Sequence, residues 1–151
     1  DVEYVGYKYN GNSIMAAIGL AQLPHLDKDN AYRRQAAAWY REGLKGLGDQ
    51  VRFVSVPPEC ESAQHLFQIM VEKRDDLLAY LNSCGIYPGV HYIDNTEYRM
   101  YAEAAGTCPN ASYASGHILS LPLHLRLSYG DIQRVINAVY AFFGKERQQR
   151  I

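Results

Sequence analysis

Apolar positions first recur at helical spacing after Ser13, where Ile14, Ala17, Ile18 and Ala21 fall on one face of a helix expected over 13–23. Pro24 has no amide proton and should kink or restart that helix. A second helix is expected from residue 27 to about 44, polar except at Ala36, Trp39, Tyr40 and Leu44, and ended by Gly46-Leu47-Gly48-Asp49. The period then changes. Residues 51–56 alternate apolar with polar until Pro57-Pro58, and 65–71 is nearly continuously apolar, so two antiparallel strands are expected, the second of them central. Residues 74–81 read as a short amphipathic helix with acids in its first turn and Gly85 as its stop. Residues 86–92 read as a further strand, 96–105 as helical, 113–119 as another short helix, and 119–123 as an apolar run closed by a proline turn. The last helix is the most clearly marked. Ser128 with Asp131 three residues on is an acid variant of the capping box, and Ile132, Val135, Ile136, Val139, Tyr140 and Phe143 keep helical spacing up to Gly144.

These elements predict one α+β domain over residues 1–151, with helices on one side of a small, mainly antiparallel sheet. Composition narrows the function classes. The 151 residues carry a formal net charge of −1 and no basic stripe, which argues against a nucleic-acid partner. Apolar stretches fall far short of the roughly 20 residues a bilayer requires, so no membrane span is expected. Cys60, Cys84 and Cys108 are isolated and odd in number, against a disulfide framework, and no zinc-type spacing occurs; a reducing cytoplasm is the expected compartment. Asn110-Ala111-Ser112 fits the glycosylation triplet but stands without a secretory signal and is read as chance. Thirteen tyrosines against four phenylalanines point to many half-wet aromatic positions, of the kind found at interfaces and binding sites.

Candidate chemistry begins at Gly6-Tyr7-Lys8-Tyr9-Asn10-Gly11-Asn12-Ser13, a polar, aromatic loop that runs directly into the first helix. A helix N-terminus presents unpaired N–H groups and partial positive charge, both suited to an anion. Asn10 or Asn12 could cap it; Lys8 adds a full charge, and Tyr7 and Tyr9 add flat faces with hydroxyl tips. On residue types alone, ordinary capping at Asn10 or Asn12 and a turn at Gly11 are the favoured reading of the same residues.

Four blocks in order then carry a resemblance. The opening loop with Ile14-Met15-Ala16-Ala17-Ile18-Gly19-Leu20-Ala21-Gln22-Leu23 is one; Ser62-Ala63-Gln64-His65-Leu66-Phe67 is the second; Gly85-Ile86-Tyr87-Pro88-Gly89-Val90-His91-Tyr92 is the third. Leu119-Ser120-Leu121-Pro122-Leu123-His124, with Leu127-Ser128 and Asp131-Ile132, is the fourth. Together they resemble the C-terminal part of the DegT/DnrJ/EryC1/StrS family of pyridoxal-phosphate-dependent sugar aminotransferases.

The resemblance implies the small domain of a fold-type I aminotransferase that acts on a nucleotide sugar with an amino-acid donor such as glutamate. The chain opens at Asp1 without methionine, and family members are more than twice as long, so a large N-terminal domain holding the cofactor's lysine is expected upstream. None of the five lysines here lies in a matching motif. The resemblance further implies a homodimer in which Lys8, Tyr9, Asn10 and Asn12 reach the cofactor phosphate of the partner subunit. Lys8 and Asn10 stand where the family commonly has Asn and Arg; a lysine keeps a point charge, whereas asparagine loses the bidentate fork. His91 and Tyr92 occupy the family's V-H-Y position facing the substrate, where a histidine can donate to a sugar hydroxyl or a pyrophosphate oxygen. Ile93-Asp94-Asn95-Thr96 replaces a P-L-H triplet that often follows. His65 is expected to be packed, His124 to help close its turn, and Trp39 to be core or interface. Two alternatives remain open: a sugar dehydratase of the same family, and a non-catalytic sensor or interaction protein on this scaffold.

Overall fold

A capping box starts the last helix. In the computed structural model, which describes residue 9 and residues 11–146, Ser128 Oγ accepts from the Asp131 amide at 3.2 Å, and Asp131 Oδ2 accepts from the Ser128 amide at 2.8 Å. The helix that follows, α5 (Tyr129–Phe142), buries Ile132, Val135, Ile136, Val139 and Tyr140 along one stripe. Hydrogen bonds from the Ser128 hydroxyl and amide hold the Asp131 carboxyl below the ordinary carboxylate range. A group whose folded value is depressed stabilises the fold above its unfolded value, and that contribution is lost as pH falls through the folded one. Protection of the first-turn amides of α5 against hydrogen exchange should therefore stay constant down to about pH 4 and fall below it. Ser128→Ala should weaken the same amides at neutral pH by about 1 kcal/mol; amide exchange followed by NMR checks both.

Three other helices precede the last strand and one leads the chain. α1 (Ser13–Gln22) is followed by a single 3-10 turn, Leu23–His25, with Pro24 in its first positions, so the proline restarts the helix as expected. α2 (Leu26–Leu44) buries Ala36, Ala37, Tyr40, Gly43 and Leu44, then tightens into the 3-10 segment Lys45–Gln50, where Gly48 at φ +56° turns the chain out. α3 (Arg74–Ser83) buries Leu77 and Leu81. α4 (Pro109–His117) begins four residues earlier than the expected helix, because Pro109 suits a first-turn position. Residues 95–97 and 99–104 are helical as expected, but of the tighter 3-10 kind.

The sheet is antiparallel with order β1-β2-β3: β1 (Arg52–Phe53), β2 (Phe67–Met70) and β3 (Ile118–Leu121). The apolar run 119–123 thus supplies a strand, while the expected strand over 86–92 reduces to one bridge, Gly89 with Ser120. Residues 51–56 pair only at 52–53, ahead of the two prolines.

Register decides which sheet face is core. Phe67 pairs with Leu121 and Ile69 with Leu119, and all four are buried. Tyr40 of α2 stacks on Phe67 at 4.9 Å and donates its hydroxyl to the Pro122 carbonyl at 2.9 Å; burial raises its phenol far above the ordinary value, with the Asp131 charge adding to the effect. The core closes between α2, α3, α5 and this face. Trp39 is half-buried, edge-on to Tyr129 at 5.1 Å. By contrast, α1 buries nothing: Ile14 is 74% exposed and Leu20 72%. No described helix is long and apolar enough to cross a membrane.

A seat for His91 on the outer face of the sheet

Alternation along a strand sends Gln68 and Ser120 to the face opposite Phe67, Ile69, Leu119 and Leu121, and register sets the two directly across from each other. The segment that follows α3 runs beside β3 at the sheet edge and crosses onto this outer face at His91. Gly89 donates its amide to the Ser120 carbonyl at 3.0 Å and accepts from the Ser120 amide at 2.8 Å. Two residues on, His91 Nδ1 lies 3.0 Å from Ser120 Oγ, and Gln68 Nε2 donates to the His91 carbonyl at 2.6 Å. The ring needs the space that Gly89 leaves: a Cβ there would stand 2.5 Å from His91 Cε1. Tyr92 meets the imidazole edge-on at 5.2 Å and is itself 71% exposed; the His91–Tyr92 peptide is cis. His91 is thus half-buried and clamped at both backbone and ring, while Tyr92 is exposed beside it. Among the described residues no hydrogen bond reaches His91 Nε2.

The departure at 93–96 also has a structure. Asp94 is buried; its amide donates to Ser115 Oγ at 3.0 Å, and its Oδ1 accepts from the Thr96 amide at 2.9 Å, capping the 3-10 turn Asn95–Glu97. Asp94 Oδ2 is buried without a hydrogen-bond partner among the described residues. Tyr98, Met100 and Tyr101 follow on the exposed turn.

Of the four loop residues expected at a phosphate, Lys8 and Asn10 lie outside the described residues. Tyr9 is 87% exposed. Asn12 resolves the choice of cap for its own position: its Oδ1 accepts from the Met15 amide at 2.9 Å. The Ser13 and Ile14 amides, which no helical carbonyl can reach, and the Asn12 side-chain amide remain as donors at this end of α1. That donor set, with no acid in the first turn of α1, fits a phosphate. The expected site residues therefore occupy two elements, Tyr9 and Asn12 at the start of α1, and His91 with Tyr92 on the sheet.

The remaining histidines divide. His65 is exposed, not packed: pairing ends at Phe67 with Leu121, so His65 lies beyond the last rung, where none of the described residues buries it. It lines an open cleft of about 710 Å³ with Arg33, His124, Arg126, Leu123 and Leu125. His124 does hold its turn, accepting the Arg126 amide on Nδ1 at 3.2 Å. His117 has two partners: Nε2 lies 3.1 Å from Glu72 Oε2 and Nδ1 2.6 Å from the Tyr113 carbonyl, with the Tyr113 ring stacked at 4.0 Å. Sequence reading missed Ser120, Gln68 and Gly89. The signal was present, since Gln68 and Ser120 are single polar residues inside otherwise apolar strands, where a polar side chain needs a partner.

Comparison with known proteins identifies relatives of the sequence and of the fold. The sequence profile of the DegT/DnrJ/EryC1/StrS aminotransferase family matches residues 1–140. DesV of S. venezuelae, solved in complex with ketimine intermediate, is 31% identical with a TM-score of 0.85, over 93% of this chain and 38% of that one. The sugar aminotransferase CalS13 from Micromonospora echinospora is 26% identical, TM-score 0.82, over 90% of this chain and 37% of that one. Spr1654 from Streptococcus pneumoniae, in its PLP form, is 26% identical, TM-score 0.79, over 94% of this chain and 38% of that one. The chain spans less than half the length of each.

Proposed function

Since the chain belongs to the DegT/DnrJ/EryC1/StrS aminotransferase family, we propose that it is the C-terminal small domain of a pyridoxal-phosphate-dependent enzyme that converts a keto sugar nucleotide to an amino sugar nucleotide. An amino acid such as glutamate donates the nitrogen. The observation that carries the substrate part of this reading is the His91 seat: an imidazole fixed at Nδ1 and at its own carbonyl, with Nε2 left for a ligand. Such a group is preorganised to receive a sugar or phosphate oxygen at little entropic cost. Tyr92 beside it offers a ring face and a hydroxyl.

Pyridoxal phosphate, when bound, supplies the electron sink for moving nitrogen between carbon centres. The lysine that holds it belongs to the large domain upstream, so residues 1–151 alone are inactive. This chain's contribution is to grip the phosphate of the cofactor in the partner subunit through Lys8, Tyr9, Asn10 and Asn12, and to orient the sugar nucleotide through His91 and Tyr92. The uncovered apolar surface of α1 supports contact with two further bodies, the chain's own large domain and a second subunit, because a bare helix of this composition is an interface by nature.

Two measurements on the full-length protein test the reading. With 15N-glutamate and a panel of keto-sugar nucleotides, label should appear in an amino sugar nucleotide; a protein that binds the cofactor but transfers label to no member of the panel contradicts it. Lys8→Ala should weaken retention of pyridoxal phosphate by about tenfold, the scale of one charge-assisted contact. Unchanged cofactor affinity in that variant removes Lys8 from the phosphate site.

A further inference from the structure

Ser120 is 3% exposed, and the described partner of its hydroxyl is His91 Nδ1. A buried hydroxyl proton left without an acceptor costs more than an ordinary hydrogen bond contributes. Nδ1 can accept that proton only when it carries none of its own, which puts the ring proton on Nε2. The opposite arrangement, with Nδ1 donating to Oγ, leaves the buried serine proton without an acceptor among the described residues. Two further contacts fix where the imidazole sits: Gln68 anchors the His91 carbonyl, and Gly89 provides the clearance against which the ring lies.

We propose that Ser120 is a positioning residue that holds His91 as its Nε2–H tautomer, so that the site presents a hydrogen-bond donor, and not an acceptor, to an oxygen of the substrate. This rests on the reading of His91 as a substrate-binding residue. The chemical consequence is selectivity by hydrogen-bond sign. A sugar hydroxyl, used through its lone pair, or a phosphate oxygen matches the fixed donor, whereas an ammonium or amide N–H at the same place meets another donor. Ser120 touches no substrate in this arrangement; it acts through His91. Gln68 and Gly89 complete the seat from the neighbouring strand and from the bridge to β3.

The test uses the full-length enzyme labelled with 15N-histidine, with the His91 signals assigned by their loss in His91→Gln. Long-range 1H–15N correlation should show an unprotonated Nδ1 and a protonated Nε2. In Ser120→Ala the pattern should move toward a mixture of tautomers, and KM for the sugar nucleotide should rise about three- to tenfold, with a smaller change in kcat. Ser120→Thr, which keeps the hydroxyl, should restore the pattern. In a His91→Ala background, Ser120→Ala should raise KM no further, as required of a residue that acts through another. A His91 pattern unchanged by Ser120→Ala, or KM effects that simply multiply, overturns the proposal. If His91→Ala itself leaves KM unchanged, the substrate-binding reading falls and takes the proposal with it. That failure is recognisable because the NMR pattern would still respond to Ser120→Ala.

Discussion

His91→Ala in the full-length enzyme should lower kcat/KM for the sugar nucleotide by about 2- to 100-fold, the range for one hydrogen bond to a neutral or charged oxygen. The seat explains why the effect should be this concentrated. Its partners Ser120, Gln68 and Gly89 are already satisfied or sterically matched by the histidine, so removing the ring deletes the donor and also leaves the Ser120 hydroxyl without its acceptor. Steady-state kinetics with varied sugar nucleotide, and separately with varied amino donor, read the result. The loss should fall on the sugar nucleotide and spare the KM for the donor; equal losses for both substrates would assign His91 a general structural role.

Phe67→Ala should destabilise the small domain by about 3–5 kcal/mol, the usual cost of truncating a fully buried aromatic side chain. Phe67 is 1% exposed, stacked on Tyr40 at 4.9 Å and tilted against Phe53 at 6.0 Å, so its loss opens a cavity between α2 and the sheet. Both neighbours are held elsewhere, Tyr40 by its bond to the Pro122 carbonyl and Phe53 by its backbone pairing with Ile69, and collapse into the void is hindered. Native-state hydrogen exchange of β2 and α5 amides measures this locally, without requiring the whole protein to unfold in one step. An exchange free energy lowered by less than about 1 kcal/mol would show that the core closes around the gap.

The helices were legible because their signals are local. Ser128 and Asp131 sit three apart, and the capping box forms; Pro24 lacks its amide proton, and the helix restarts; Trp39, expected at core or interface, is half-buried against Tyr129. Strand limits were less legible, since they depend on partners distant in sequence. Residues 86–92 look like a strand in isolation, yet Gly89 is their single paired position. His65 looks like the first residue of an apolar strand, but pairing begins at Phe67 and the imidazole stays in solvent. The apolar run at 119 became a strand because β2 offers it a register that buries Leu119 and Leu121.

The site divides in the same way. His91 and Tyr92 could be selected from the sequence through their motif, whereas what fixes His91 could not, because Gln68 and Ser120 meet it across 23 and 29 residues of chain. Asn12 was recognisable as a cap, and it is one. Asp94 shows the converse: its place in the sequence marked only a departure from a motif, and the structure turns it into the cap of a turn with one carboxylate oxygen buried and unpartnered.

The most direct test of the account is a crystal structure of the full-length protein with pyridoxal phosphate and a sugar nucleotide. The account predicts an oxygen of the sugar or its diphosphate about 2.7–3.2 Å from His91 Nε2, with the Lys8–Asn12 loop against the phosphate of the cofactor in the other subunit. A sugar nucleotide bound with His91 Nε2 facing solvent or another protein group would contradict it.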